Sequence, residues 1–254
     1  MKASLRVAYL YPDLMNLYAD RGNVICLRQR CLRRDIEVVI DEIGLNDALD
    51  TAAYDTIYMG GGQDKEQRLV AEDLYLHKGD ALREAAEKGV VILVICGGYQ
   101  LFGHYYRPAE GAELPGIGIF DAWTVHRGTK QPRCIGNVIA EWEGELLVGF
   151  ENHGGRSYLG PSARPLAKVV HGHGNNSEDG GEGAIYKNCF GTYLHGSLLP
   201  KNPHFADHLL HLALQRKYPG IELAPLDDRL ELQAHQAAIE RIKRQRRLKV
   251  IIRG

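Results

Sequence analysis

The stretch Val90-Val-Ile-Leu-Val-Ile-Cys-Gly-Gly-Tyr-Gln100, VVILVICGGYQ, decides the fold. Its first six residues are apolar and mostly β-branched, as in a strand buried on both faces, which means a parallel sheet covered by helices. Cys96 and two glycines follow at once, and Tyr99–Tyr106 has a helical pattern. A chain leaving a buried strand for a helix must turn sharply, and small neighbours relieve the crowding there. A side chain at such a turn projects into the crevice at the carboxyl end of the sheet, where open α/β sheets bind their ligands. The position suits a nucleophile; the plain alternative is a buried structural cysteine beside glycines.

Working outward, Leu5–Tyr11 predicts a first strand, Asn23–Arg34 a helix, Ile36–Ile40 a second strand and Asp55–Met59 a third that ends on Gly60-Gly-Gly62. The stretch PDLMNLYADRGN reads as a long turn after the first strand. Leu69, Val70, Leu74, Leu82 and Ala85 recur at helical spacing over Gln67–Lys88, and Gly89 is placed to stop that helix. This alternation predicts an α/β fold, a mostly parallel sheet flanked by helices on both faces. Beyond Gly111, Ile117–Val125, Ile135–Glu141 and Leu146–Phe150 read as short antiparallel additions, and Gly172–Gly183 as an exposed loop. Ala184–Lys187 and Phe190–Leu194 return as strands. Asn202–Tyr218 and Leu226–Arg247 read as helices, the second capped by Asp227 or Asp228. We expect a single domain over 1–254 with a helical C-terminal extension from about residue 221.

Hydrophobic residues make up 44% of the 254, enough for a sizeable core. The formal net charge of -1 argues against a broad nucleic-acid footprint, although basic residues gather at the end: Arg241, Lys243, Arg244, Arg246, Arg247, Lys249 and Arg253. Five cysteines without a CxxC pair fit a reducing compartment. The N-terminus lacks a signal-peptide core and no apolar run is long enough to span a bilayer, so a cytoplasmic protein without a transmembrane segment is expected.

A thiolate catalyst needs a base, and His195 in GTYLHG ends another short strand just before a glycine. Two strand ends in one sheet bring such a pair together despite their separation. A helix beginning beyond Gly98 would favour the thiolate, and the Gly97 N–H is placed to bind an oxyanion. Gly60-Gly-Gly62 ends a strand on the same edge and can present further N–H groups; a flexible turn is its alternative reading. Cys26 and Cys31 on an amphipathic helix, and Cys134 and Cys189 beside strands, read as packing residues. His171 and His173 form a possible but weak metal pair, and no metal is expected.

ICGGYQL around Cys96 and GTYLHG around His195 resemble the class I (triad-type) glutamine amidotransferase family, in the branch of the cobyric acid synthase glutaminase domains. YPDLMNLYADRGN, MGGGQDKEQ, RCIGN and GFENHGGRSYLG narrow the likeness to the glutaminase subunits that serve lipid II amidation. The resemblance implies a flavodoxin-like core and hydrolysis of L-glutamine by Cys96 and His195. Gly97 with Gly61 or Gly62 would form the oxyanion hole. Arg133, Asn152 and His153 would bind the substrate, His153 being the rival base. Two features depart from the family pattern. Val94 stands where a glycine is common, and Ser197 stands two residues after His195 where a triad acid is usual. The acid is then absent, supplied from elsewhere in the chain, or supplied by a partner.

The chain has no phosphate-binding G-x-x-x-x-G-K-[ST] loop. No cofactor is therefore expected here, and ATP with Mg is expected on a separate ligase that uses the ammonia. The resemblance implies a MurT-like Mur ligase subunit as partner in a heterodimer. The acceptor would be the D-glutamate of lipid II, reached through the partner at the inner face of the membrane. Amidation of a cobyrinate-type or other acceptor, and a non-catalytic scaffold of the same fold, are the alternatives. So is a cysteine hydrolase acting alone.

Overall fold

A six-stranded sheet forms the centre of the chain in the computed structural model, which describes residues 2–128 and 130–253, with side chains through Arg244. In order, the elements begin β1 (Ser4–Leu10), α1 (Arg21–Leu32), β2 (Glu37–Ile43), β3 (Thr56–Met59), α2 (Asp64–Asp73), α3 (Gly79–Glu87), β4 (Val91–Ile95) and α4 (Gly97–Leu101). The middle of the chain supplies β5 (Tyr105–Arg107), β6 (Leu114–Pro115), β7 (Ala122–His126), β8 (Cys134–Trp142), β9 (Glu145–His153), β10 (Gly155–Leu159), β11 (Ala167–His171) and β12 (Gly181–Glu182). Last come β13 (Ala184–Tyr186), β14 (Cys189–Thr192), α5 (Leu198–Lys201), α6 (Pro203–Lys217) and α7 (Arg229–Arg253).

The central order is β13-β14-β4-β3-β1-β2, parallel except for the edge pair β13–β14. All five residues of β4 are buried, as its apolar run demands. The chain steps from β1 outward to β2, then returns to β3 on the other side of β1. The loops after β1 and β3 therefore diverge at a topological switch point, where a crevice forms. Beside them stand the segments that follow β4 and β14. Asp20, Gly60–Gly62, Cys96 and His195 follow these four strands in that order.

Two four-stranded sheets, β10-β7-β5-β6 and β12-β11-β8-β9, close over this edge. They are more extensive than the short additions expected, and the sequence reading missed β10 and β11 as strands. The expected helix over Tyr99–Tyr106 is corrected: α4 stops at Leu101 and Tyr105–Arg107 is a strand. A Cβ on Gly103 would lie 2.6 Å from the Ala122 carbonyl oxygen, so the chain passes backbone to backbone against β7 and cannot stay coiled. The expected single helix over Gln67–Lys88 is interrupted by a π-turn at Leu74–Lys78. That turn buries Lys78 against Asp73, which also accepts the Tyr11 hydroxyl at 2.7 Å.

Gly172–Gly183 is not the exposed loop its composition suggests. Asn175, Asn176 and Glu182 are buried. Asn175 bridges to Gly183, donating from Nδ2 to the carbonyl at 2.8 Å and accepting its N–H at 2.9 Å. The segment buries polar groups because they are satisfied within it and by Ser157, Thr192 and Tyr193. Pro203 stands in the first turn of α6, and Arg30 of α1, held between Asp207 and Asp228, ties the C-terminal helices to the core. The basic side chains of Arg246, Arg247, Lys249 and Arg253 lie outside the described side chains. No helix among the described residues is long and apolar enough to cross a membrane.

Candidate active site

Cys96 sits directly beyond β4 with φ 49° and ψ −103°. A non-glycine residue rarely takes this conformation, which costs on the order of 1–3 kcal/mol and recurs at active sites. The two following glycines are required by close approach. A Cβ on Gly97 would lie 2.2 Å from Gln67 Nε2, and one on Gly98 2.9 Å from the Gly60 carbonyl oxygen. Val94 is wholly buried, so its branched side chain belongs to the core and leaves the turn unobstructed.

The Cys96 N–H donates to the Thr192 carbonyl at 2.7 Å, which locks the elbow to the end of β14. Three residues later His195 exchanges backbone hydrogen bonds with Phe150, at 2.7 and 3.2 Å. Its imidazole is fully buried, and Nδ1 lies 3.1 Å from each carboxylate oxygen of Asp20. A carboxylate accepts, so Nδ1 carries a proton and Nε2 is left for the sulfur. Nε2 is buried without another partner and is left facing the Cys96 sulfur. Burial opposes a charge on His195. The Cys96 sulfur and the Asp20 carboxylate outweigh it and push the pKa up to about 10.

Asp20 is the acid that the sequence reading did not assign. It lies in the turn after β1, and it is fully buried. Its Oδ2 also accepts the Gly61 N–H at 2.9 Å. Ser197, at the position where an acid was sought, donates from Oγ to the Ala19 carbonyl at 2.6 Å. It thereby ties the segment carrying His195 to the turn carrying Asp20. The signal available was topological: an acid after the first strand of a sheet whose switch point falls there.

The three glycines after β3 divide their tasks. The Gly61 N–H is engaged by Asp20. A Cβ there would meet His195 Cε1 at 2.8 Å and Cys96 Cβ at 3.2 Å. The Gly62 nitrogen instead lies 3.1 Å from where a Cβ of Gly97 would stand, so the Gly62 and Gly97 backbones are neighbours beside the sulfur.

Cys96 opens on a cleft of about 490 Å³ lined also by Tyr18, Asp64, Arg133, Asn152 and His153. Arg133 donates from Nε to Asn152 Oδ1 at 3.0 Å, and Asn152 donates from Nδ2 to the Tyr18 hydroxyl at 2.6 Å. The edge of the Tyr18 ring meets the His195 ring, centroids 4.9 Å apart. His153, the rival base, is stacked on Tyr193 at 3.6 Å and donates from Nδ1 to the Gly155 carbonyl at 2.8 Å. Burial lowers its pKa, and the stacked ring is fixed in the wall of the cleft. Behind Cys96, Gln67 donates to Gln100 at 2.8 Å, Gln100 to the Tyr193 hydroxyl at 3.1 Å, and that hydroxyl meets Ser157 Oγ at 2.7 Å. Cys31, Cys134 and Cys189 are buried. Among the described residues no group of three or more His, Cys, Asp or Glu is arranged to hold a metal ion.

Residues 6–203 match the CobB/CobQ-like glutamine amidotransferase domain family. The chain belongs to this family. It is a glutamine-hydrolysing amidotransferase. It is 42% identical over 244 residues, covering 96% of this chain and 98% of the relative, to the GatD subunit of lipid II isoglutaminyl synthase (glutamine-hydrolyzing) from Staphylococcus aureus (strain N315). The same subunit from Streptococcus pneumoniae (strain ATCC BAA-255 / R6) is 40% identical over 227 residues, with 88% and 86% of the two chains covered. A cobyric acid synthase from Pelotomaculum thermopropionicum is 34% identical over 173 residues, 61% of this amidotransferase but 32% of that longer enzyme. A solved glutamine amidotransferase structure superposes with a TM-score of 0.56 at 17% identity, covering 81% of this chain and 98% of that one, which shows the shared fold.

Proposed function

We propose that this amidotransferase is the glutaminase subunit of a lipid II amidating enzyme and works through Cys96, His195 and Asp20. The observation that carries the reading is the buried Asp20–His195 pair facing a strained cysteine on the floor of a cleft. The Cys96 sulfur, having passed its proton to His195 Nε2, attacks the side-chain amide carbon of L-glutamine. The oxyanion accepts the N–H groups of Gly62 and Gly97, each donor contributing roughly 2.7–4 kcal/mol to the barrier. His195 returns the proton to the amide nitrogen, the C–N bond breaks and ammonia leaves. Water, deprotonated by His195, then cleaves the thioester to glutamate and free Cys96. Asp20 keeps the imidazole oriented and stabilises its charge throughout. Arg133 holds the substrate carboxylate, with Asn152 fixing its guanidinium.

Ammonia becomes useful only on an activated acceptor. The two subunits of similar sequence named for lipid II isoglutaminyl synthase, each aligned over most of its length, support lipid II as the final acceptor. The partner is then an ATP- and Mg-dependent Mur ligase-like subunit, and the product is D-isoglutamine. The test is reconstitution with such a ligase, ATP, lipid II and glutamine labelled with 15N in its side-chain amide. Label in the stem-peptide amide is expected, and its loss with Cys96→Ala. Ammonia release without transfer to lipid II, under conditions where free ammonium does support transfer, would overturn the choice of acceptor.

A further inference from the structure

We propose that Asp64 binds the α-ammonium of the substrate amino acid, in the cleft it lines with Arg133, and so restricts the enzyme to α-amino acids. The inference rests on the glutaminase reading above and adds a specificity residue to it. Asp64 is the first residue of α2, and its side chain lines the cleft that Cys96 opens on. Three residues on, Gln67 of the same helix lies against Gly97, so Asp64 stands about 4.5 Å further along the helix axis. That rise matches the reach of the four bonds between the amide carbon and the α-nitrogen of glutamine.

Asp64 is held rather than free. Tyr106 donates its hydroxyl to Asp64 Oδ1 at 3.1 Å, and Oδ2 has no hydrogen-bond partner among the described residues. Burial raises the Tyr106 pKa, the Asp64 carboxylate beside it adds to that, and Tyr106 lines the same cleft as Cys96. Arg133 lines the same cleft, held by Asn152. Neither Asp64 nor Arg133 enters an ion pair among the described residues. An unpaired acid and an unpaired base facing one cleft are complementary to an amino acid's ammonium and carboxylate. The alternative role for Asp64 is to complement the dipole at the start of α2, where Glu66 also stands.

The test separates these roles with two ligands, L-glutamine and glutaramate, which lacks only the α-amino group. Binding is measured by calorimetry to the full chain carrying Cys96→Ala, so that neither ligand is turned over, and again with Asp64→Asn added. Asp64→Asn is expected to weaken glutamine roughly ten- to hundredfold, the worth of a charged hydrogen bond, and to leave glutaramate unchanged. In the active chain the same substitution raises KM for glutamine by that factor with little change in kcat. Equal losses for both ligands, or undiminished glutamine binding, would overturn the role of Asp64 alone. A chain that binds neither ligand with Asp64 intact and releases no ammonia from glutamine would overturn the glutaminase reading itself, and this inference with it.

Discussion

Asp20 and His195 are 175 positions apart in the chain, and their side chains meet at 3.1 Å with no exposure to solvent. The pair fixes the direction of the imidazole and favours its protonated form. Its folded pKa of about 10 lies above the ordinary value, so it contributes stability that is fully present below about pH 6.5 and is lost as pH rises through about 10. Asp20→Asn is expected to lower the His195 pKa and to slow ammonia release by roughly 10²- to 10⁴-fold. Imidazole 15N shifts followed against pH check the first effect and steady-state kinetics the second. An unchanged pKa in the variant would show that Asp20 does not govern the histidine.

Gly61 tests the steric side of the same arrangement. A methyl group there would lie 2.8 Å from His195 Cε1, too close for the ring to keep its place. Gly61→Ala is expected to reduce kcat roughly a hundredfold, since small displacements of a catalytic group are costly. The thermal midpoint measured alongside should fall far less than kcat does. Wild-type activity in this variant would mean that the loop after β3 does not abut the triad.

Glu182 gives a prediction of the same pH sign in a lower pH window. It is fully buried beneath Tyr193, whose N–H donates to it at 2.7 Å, while the Thr192 hydroxyl donates at 3.0 Å. Burial pushes its carboxyl up to about 7 despite these donors. An acid whose folded pKa is raised binds more protons folded than unfolded, so its contribution to stability declines between about pH 4.3 and 7. Glu182→Gln keeps acceptor and shape without the charge. It should raise the thermal midpoint at pH 8 relative to wild type and leave little difference at pH 4. The reverse order would refute the assignment.

The π-turn at Leu74–Lys78 makes a third structural prediction. Lys78 and Asp73 are both buried and paired, with Tyr11 completing the group. Lys78→Met leaves the Asp73 carboxylate in the interior with the Tyr11 hydroxyl and the Asn46 N–H as its remaining donors. The expected loss is about 3–5 kcal/mol, read by urea denaturation. Lys78→Met combined with Asp73→Leu should recover much of it, because the uncompensated charge is gone.

The parallel core was legible because β1, β3 and β4 are short apolar runs separated by amphipathic helices, and period and burial agree there. Cys96 and His195 were legible because each stands beside glycine at a strand end. Asp20 was not, since its role depends on which loops the switch point brings together, and no local pattern marks one acid in a polar turn. The segment around Glu182 misled for a related reason. Asparagine and glycine read as solvent-facing, yet Asn175, Asn176 and Glu182 are buried with their hydrogen bonds closed inside the protein. The helix expected from Tyr99 stopped early because Gly103 must touch the backbone of β7, a contact 19 residues away in Ala122 that local periodicity does not carry.

The most direct test of the central claim is covalent labelling by a diazo-ketone analogue of glutamine, with the adduct located by mass spectrometry. Labelling needs a bound ligand and a competent sulfur rather than full turnover. The account predicts a single adduct on Cys96, none on Cys26, Cys31, Cys134 or Cys189, protection by L-glutamine and slower labelling in the Asp20→Asn variant. An unlabelled Cys96, both in the chain alone and in its complex with the proposed ligase partner, would contradict it.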